Sequence, residues 1–236
     1  MDNRQSALTA KDIHRTFATP DSDLNVLNGI DISIEKGQMI AVTGESGAGK
    51  STLLHILGGL DKPTSGEVFI GDMNLSSKTE LELARLRNEK IGFVFQFHYL
   101  LDDFTALENV MMPLLVAGKR YEDAKSRAEL ILEKVGLKDR LKHFPMQLSG
   151  GEQQRVAVAR ALANDCEIVL ADEPSGNLDI ETGRKLHQLL FELNKSNRTT
   201  FLIATHNREL AGRCHRELEL VDGRTVERTR NRDEII

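Results

Sequence analysis

Gly44-Glu45-Ser46-Gly47-Ala48-Gly49-Lys50-Ser51 is the stretch whose residue types and spacing could do chemistry most directly. Its glycines let backbone N–H groups point inward with no side chain in the way. A helix opening at the end of the stretch adds unpaired N–H donors and a partial positive charge. Such a loop suits phosphate. Lys50 would neutralise the outer phosphates, Ser51 would offer its hydroxyl to a divalent cation, and Thr52 continues into the helix. In isolation the pattern could be a chance match in a glycine-rich turn, so its flanks decide. The apolar run Met39-Ile40-Ala41-Val42 before it reads as a buried strand, and Leu53-Leu54-His55-Ile56-Leu57 after it has helical spacing. Strand, glycine loop and helix together make it a phosphate loop.

Three further positions stand where apolar runs stop. Ile168-Val169-Leu170-Ala171 ends in Asp172-Glu173, and open α/β sheets place their ligands at the carboxyl ends of strands. Beside a phosphate loop, Asp172 would hold the cation with Ser51, and Glu173 would be the base for a water molecule. The buried run Ile91-Gly92-Phe93-Val94-Phe95 ends at Gln96, either a solvated cap or a group reaching the metal and the attacking water. Thr200-Phe201-Leu202-Ile203-Ala204 ends at Thr205-His206, where the imidazole is either a surface residue or within reach of the same phosphate. Leu148-Ser149-Gly150-Gly151-Glu152 opens another helix, expected through Ala163. Ser149 can cap it and the two glycines let a ligand come close, giving a second anion-binding helix start. Phe17, at the end of the first strand, could stack on a flat ring or serve as core.

The elements that position these residues follow from pattern. Residues Leu8 to Ile34 alternate as strands about a Pro20-Asp21-Ser22-Asp23 turn, and Glu67-Val68-Phe69-Ile70 is another strand. Glu80 to Lys90 reads as a helix. Residues 97–147 carry no strand signal. Leu107, Val110, Leu114 and Leu115 recur with helical spacing, Glu122 to Val135 is amphipathic and Gly136 is a helix stop, so a helical lobe is inserted in an α/β core. Ser175-Gly176-Asn177-Leu178-Asp179 makes a tight turn before a helix over Thr182 to Asn194. Asp222-Gly223 closes a hairpin, and Asn231 to Ile236 reads as a tail.

Composition narrows the classes. The chain has 236 residues with a net charge of −5, which disfavours a nucleic-acid partner. Two cysteines, Cys166 and Cys214, make no disulfide framework. Met1 to Gln5 leads into no apolar secretory segment. The longest apolar stretch, Val110 to Gly118, is too short to span a bilayer. Contact with a membrane is therefore expected only through a partner.

Taken in order, the phosphate loop, Gln96, Leu148–Glu152, Ile168–Glu173, Ser175–Asp179 and His206 resemble the full motif set of ABC-type ATPases, over essentially the whole chain. The Leu-Ser-Gly-Gly-Glu segment separates this family from other phosphate-loop proteins such as kinases and GTPases. The resemblance implies a single α/β ATPase domain over 1–236: a mixed, mainly parallel core sheet, an antiparallel β-subdomain and a helical lobe at about 97–147. It implies ATP and Mg²⁺ as ligands, Phe17 as the adenine-stacking aromatic, and Lys50, Gln96, Glu173 and His206 as the catalytic set. Two copies are implied to face each other head to tail, so that Ser149, Gly150, Gly151 and Glu152 of one meet ATP held by residues 44–52 of the other. The partners implied are integral membrane transporter subunits, and the place is peripheral, on the cytoplasmic side of a bacterial inner membrane. The stretch Phe97 to Val110 is similar to the lipoprotein-releasing subgroup, with macrolide-exporting and division-associated cassettes as relatives. Asp102 departs from the proline usual there, and Ser175 from the usual threonine. Within that stretch Leu100, Leu101, Phe104 and Leu107 are expected to offer apolar side chains to the membrane subunit.

Overall fold

The computed structural model describes residues 6–18 and 22–228. Met1 to Gln5, Pro20 and Asp21 of the expected turn, and the tail Asn231 to Ile236 lie outside the described residues. The first sheet is antiparallel, in the order β2-β1-β4-β5, from β1 (Ser6–Ala18), β2 (Asp23–Glu35), β4 (Ser65–Ile70) and β5 (Met73–Asn74). The second comprises β3 (Met39–Thr43), β6 (Ile91–Val94), β7 (Ile168–Asp172), β8 (Phe201–Ala204), β9 (Arg216–Val221) and β10 (Arg224–Glu227), in the order β10-β9-β3-β8-β7-β6. All its pairings are parallel except β10 with β9. Asp222 and Gly223 in that hairpin turn both have positive φ, 49° and 73°, as a two-residue turn matching strand twist requires.

Side chains alternate across a strand, and here each face fills a different core. Met39, Ala41, Val169, Ala171, Phe201 and Ile203 face the helical side. Ile40, Val42, Ile168, Leu170, Leu202 and Ala204 face the antiparallel sheet and α1 (Lys50–Leu57). That double burial is why these strands read as continuous apolar runs rather than alternating ones.

Between β6 and β7 the described chain is helical: α3 (Ala106–Val116), α4 (Tyr121–Lys134), short 3-10 turns at Lys138–Arg140 and Pro145–Gln147, and α5 (Gly150–Ala161). α4 stops at Lys134, with Gly136 at φ 73° just beyond. α2 (Glu80–Lys90) runs as expected, while α6 (Ile180–Asn197) extends past Asn194. α5 ends at Ala161 rather than Ala163. β6 stops at Val94, short of Gln96, because it is the edge strand and the Phe95 carbonyl accepts instead from Gln154 Nε2 at 2.9 Å. α7 (Arg208–Arg213) links β8 to β9. No helix of the described residues is long and apolar enough to cross a membrane.

Candidate active site

The loop between β3 and α1 is shaped by Gly44, Gly47 and Gly49, with φ of 146°, 82° and 101°. Side chains disfavour that region. At Gly44 there is also no room, since a Cβ would lie 2.6 Å from the Leu220 carbonyl oxygen. α1 begins with no side-chain cap and no acidic residue in its first turn, so its first N–H groups remain open to an anion. Lys50 Nζ donates to the carbonyls of Gly44 and Glu45, each at 2.9 Å. An arriving phosphate would offer it a stronger, charge-assisted partner.

The neighbouring strands β3, β8, β7 and β6 bring their carboxyl ends side by side. β3 leads into the loop, β8 into Thr205-His206, β7 into Asp172-Glu173 and β6 into Phe95-Gln96. Glu173 has φ 44°, a costly conformation for a side chain of its size unless its surroundings hold it. They do. Its N–H donates to the Ala204 carbonyl at 2.9 Å, its Oε1 lies 2.9 Å from His206 Nδ1, and Thr205 Oγ1 donates to its Oε2 at 3.4 Å. The Glu173 side chain is 16% exposed and that of His206 74%, a sheltered carboxylate beside an open imidazole.

Asp172 Oδ1 is buried and has no hydrogen-bond partner among the described residues. A buried carboxylate oxygen rarely stays so, and a hard divalent cation would satisfy it. No group of three His, Cys, Asp or Glu residues forms a metal cage among the described residues. The donor set fits a cation bound by one carboxylate, a hydroxyl such as that of Ser51, and phosphate oxygens.

Gln96 is joined to the turn after Glu173. Its Nε2 donates to Asn177 Oδ1 at 2.9 Å, and Asn177 Nδ2 donates to its carbonyl at 3.1 Å. The sequence placed Asn177 in the Ser175–Asp179 turn but gave no sign of its pairing with Gln96, because that partner lies far away along the chain.

The start of α5 lies beside the turn after Glu173, where a Cβ on Gly150 would come 3.6 Å from Leu178. Among the described residues none of its hydrogen bonds reaches residues 44–52. Ser149 and Glu152 form a capping box: the Glu152 carboxylate accepts from the Ser149 N–H at 2.9 Å and hydroxyl at 2.8 Å, and Ser149 Oγ accepts from the Glu152 N–H at 3.3 Å. Arg140 Nε adds a 2.8 Å bond to Glu152. These contacts, the Ser149 N–H foremost, hold the Glu152 carboxyl at about 2, well under its usual 4.5. The two glycines differ. A Cβ on Gly151 would meet Thr182 at 2.3 Å, so within the chain that glycine is required by packing on α6, whereas Gly150 has room.

Phe17 is 36% exposed, which removes the core reading of that residue. Arg15 covers one face of its ring, at 4.3 Å from the centroid, and Arg15 also pairs with Asp61. Past Gln96 the expected apolar set divides. Leu100 and Leu107 pack against the helical core and Phe104 is half-buried, so of the four only Leu101 is open, at 44%. Phe97 and Tyr99, at 60% and 66%, complete the exposed rim. Arg160 on α5 holds that rim by donating to the carbonyls of His98 and Tyr99 at 2.7 and 2.6 Å.

Residues 27–176 match the family model described as "ABC transporter". A protein of Legionella pneumophila (strain Lens) named "Lipoprotein-releasing system ATP-binding protein LolD" is 52% identical over 216 residues, covering 92% of this chain and 95% of its own length. One of the same name from Syntrophus aciditrophicus (strain SB) is 52% identical over 219 residues, covering 93% and 98%. Among solved structures, the dimeric ATP-binding cassette MJ0796 in a post-hydrolysis state bound to ADP and Pi shares 40% identity at a TM-score of 0.86, covering 95% of this chain and 99% of its own.

Proposed function

The chain belongs to the ABC transporter family as an ATP-binding, ATP-hydrolysing subunit, and from that premise we propose that it powers the release of lipoproteins by a membrane complex. The observation that carries the ATP-hydrolysing part of this reading is the convergence of the phosphate loop, His206, Glu173 and Gln96 at the ends of adjacent parallel strands. We assign ATP to residues Gly44–Thr52, with Phe17 offering its open ring face to the adenine. Lys50 leaves its loop carbonyls for the terminal phosphates. Ser51, Asp172 and Gln96 would hold Mg²⁺, which when bound neutralises phosphate charge. Glu173 takes the proton of the attacking water, and His206 keeps its carboxylate oriented and sheltered.

A second copy faces the first head to tail, so that Ser149, Gly150, Gly151 and Glu152 close over ATP bound by the partner. This accounts for two helix starts suited to phosphate in one chain, on different elements. Residues 97–147 form the lobe that meets the integral membrane subunits, with the chain peripheral on the cytoplasmic side of the inner membrane. The cargo is supported by the names of relatives about half identical over nearly the full chain.

Co-purification from detergent-solubilised inner membrane, with identification of the bound proteins, tests this reading. Recovery of membrane subunits whose loss stops lipoprotein release is expected. Recovery of a drug exporter or a division complex instead would replace lipoproteins as the cargo while keeping the ATPase.

A further inference from the structure

Gln96 lies just beyond the last residue of β6, where strand pairing has stopped. A carboxamide has two unlike ends, and only its oxygen can hold a cation or accept a hydrogen bond from water. Something must decide which end faces the phosphates. The Gln96 backbone carbonyl can only accept, so the Asn177 group facing it at 3.1 Å is the NH₂. That fixes Asn177 Oδ1 as the atom facing the Gln96 side chain, and an oxygen there can receive only the Nε2 end, at 2.9 Å. The Oε1 end is left for the site.

Asn177 is itself well held. The Gly176 N–H donates to the Glu173 carbonyl at 2.9 Å and the Leu178 N–H to Ser175 at 3.1 Å. The Ser175 hydroxyl lies 2.8 Å from Nε2 of the buried His187. Asn177 is absent from the residues with positive φ, so the turn's backbone does not demand an asparagine. Gly176 lets Gln96 lie close, because a Cβ there would come within 2.9 Å of Gln96 Nε2.

We infer that Asn177 is a positioning residue that turns the Gln96 carboxamide oxygen toward the phosphate and metal site, with Gly176 providing the room. This rests on the assignment of Gln96 given above. It joins the turn after Glu173 to the segment that leads into the helical lobe, so both respond to the same ligand.

The test uses the full chain with Asn177→Ala, Gly176→Ala, Gln96→Ala and the Gln96→Ala/Asn177→Ala pair. Three measurements are made: steady-state hydrolysis, equilibrium ATP binding titrated with Mg²⁺, and thermal melting. Asn177→Ala is expected to lower kcat about tenfold, as for loss of a pair of hydrogen bonds, with KM for ATP within about twofold. The Mg²⁺ concentration that half-saturates ATP binding should rise several-fold at unchanged melting temperature. Gly176→Ala should do the same by displacing Gln96 without touching Asn177. On the Gln96→Ala background, Asn177→Ala should add nothing. Wild-type kcat and Mg²⁺ dependence in Asn177→Ala, or an undiminished effect in the double variant, would overturn the positioning role while leaving Gln96 in place. A silent Gln96→Ala would overturn the assignment of Gln96 and this inference together.

Discussion

At the residue scale the proposed chemistry centres on one sheltered carboxylate. Glu173 is bent into a conformation rare for its type, and three neighbours hold it: the Ala204 carbonyl, the Thr205 hydroxyl and the His206 imidazole. If it takes a proton from water, Glu173→Gln should keep ATP affinity while turnover falls by about 10²–10⁴. If hydrolysis is what reopens the pair, the variant should also accumulate as an ATP-bound dimer, visible by size-exclusion chromatography. Wild-type turnover in Glu173→Gln would remove the residue from the mechanism. As candidates, Glu173 and His206 were legible from sequence because each stands where an apolar run ends, and Lys50 because it closes the glycine loop. The contact of Asn177 with Gln96 was not, since that partner is fixed by the sheet's strand order and not by local spacing. Asp172 was legible as a carboxylate, but not as one with an orphaned oxygen.

At the element scale, short caps do much of the positioning. α2, α3 and α5 all open with the same reciprocal box, Thr79 with Glu82, Thr105 with Glu108 and Ser149 with Glu152. Ser or Thr followed three residues later by Glu is a signal the sequence carries plainly. At α5 the box also sets a pH dependence. Glu152 ionises at about 2 in the folded chain against an ordinary 4.5, so the unfolded chain binds its proton first as pH falls. Its stabilisation is complete above the ordinary value and is lost as pH drops from there toward the folded value. Melting of wild type and Glu152→Gln should therefore differ most near neutrality and converge as pH is lowered through that window. A gap that stays constant down to acid unfolding would show that the charge of Glu152 contributes nothing. The buried strands were readable from their unbroken apolar runs. Their order was not, because runs of similar composition carry no address for their neighbours. The edge position of β6 decided where that strand stops and left Gln96 in irregular chain.

At the scale of the whole molecule, the start of α5 and the phosphate loop lie on different elements with no hydrogen bond between them among the described residues, so the proposed head-to-tail pairing makes the number of copies part of the chemistry. A Lys50→Ala chain and a Ser149→Arg chain each spoil one half of every shared site. Mixed, they should form some dimers with one intact site, and hydrolysis should exceed that of either alone. A rate per subunit that stays constant for the wild type down to high dilution would rule out shared sites. The rim of Phe97, Tyr99 and Leu101 should carry the load to the membrane. Leu101→Ser is expected to abolish pull-down of the membrane subunits with melting and ATP affinity unchanged, and a matching fall in melting temperature would return Leu101 to a packing role. The central sheet has one more consequence. Alternate residues of β3, β7 and β8 feed separate cores on its two faces, so the sheet acts as a party wall between tenants. Substitutions that remodel the helical side for a new client touch one set of side chains, and those that hold the nucleotide loop against α1 are the other set. Repacking of the helical side can therefore proceed along these strands without altering a side chain that packs against α1.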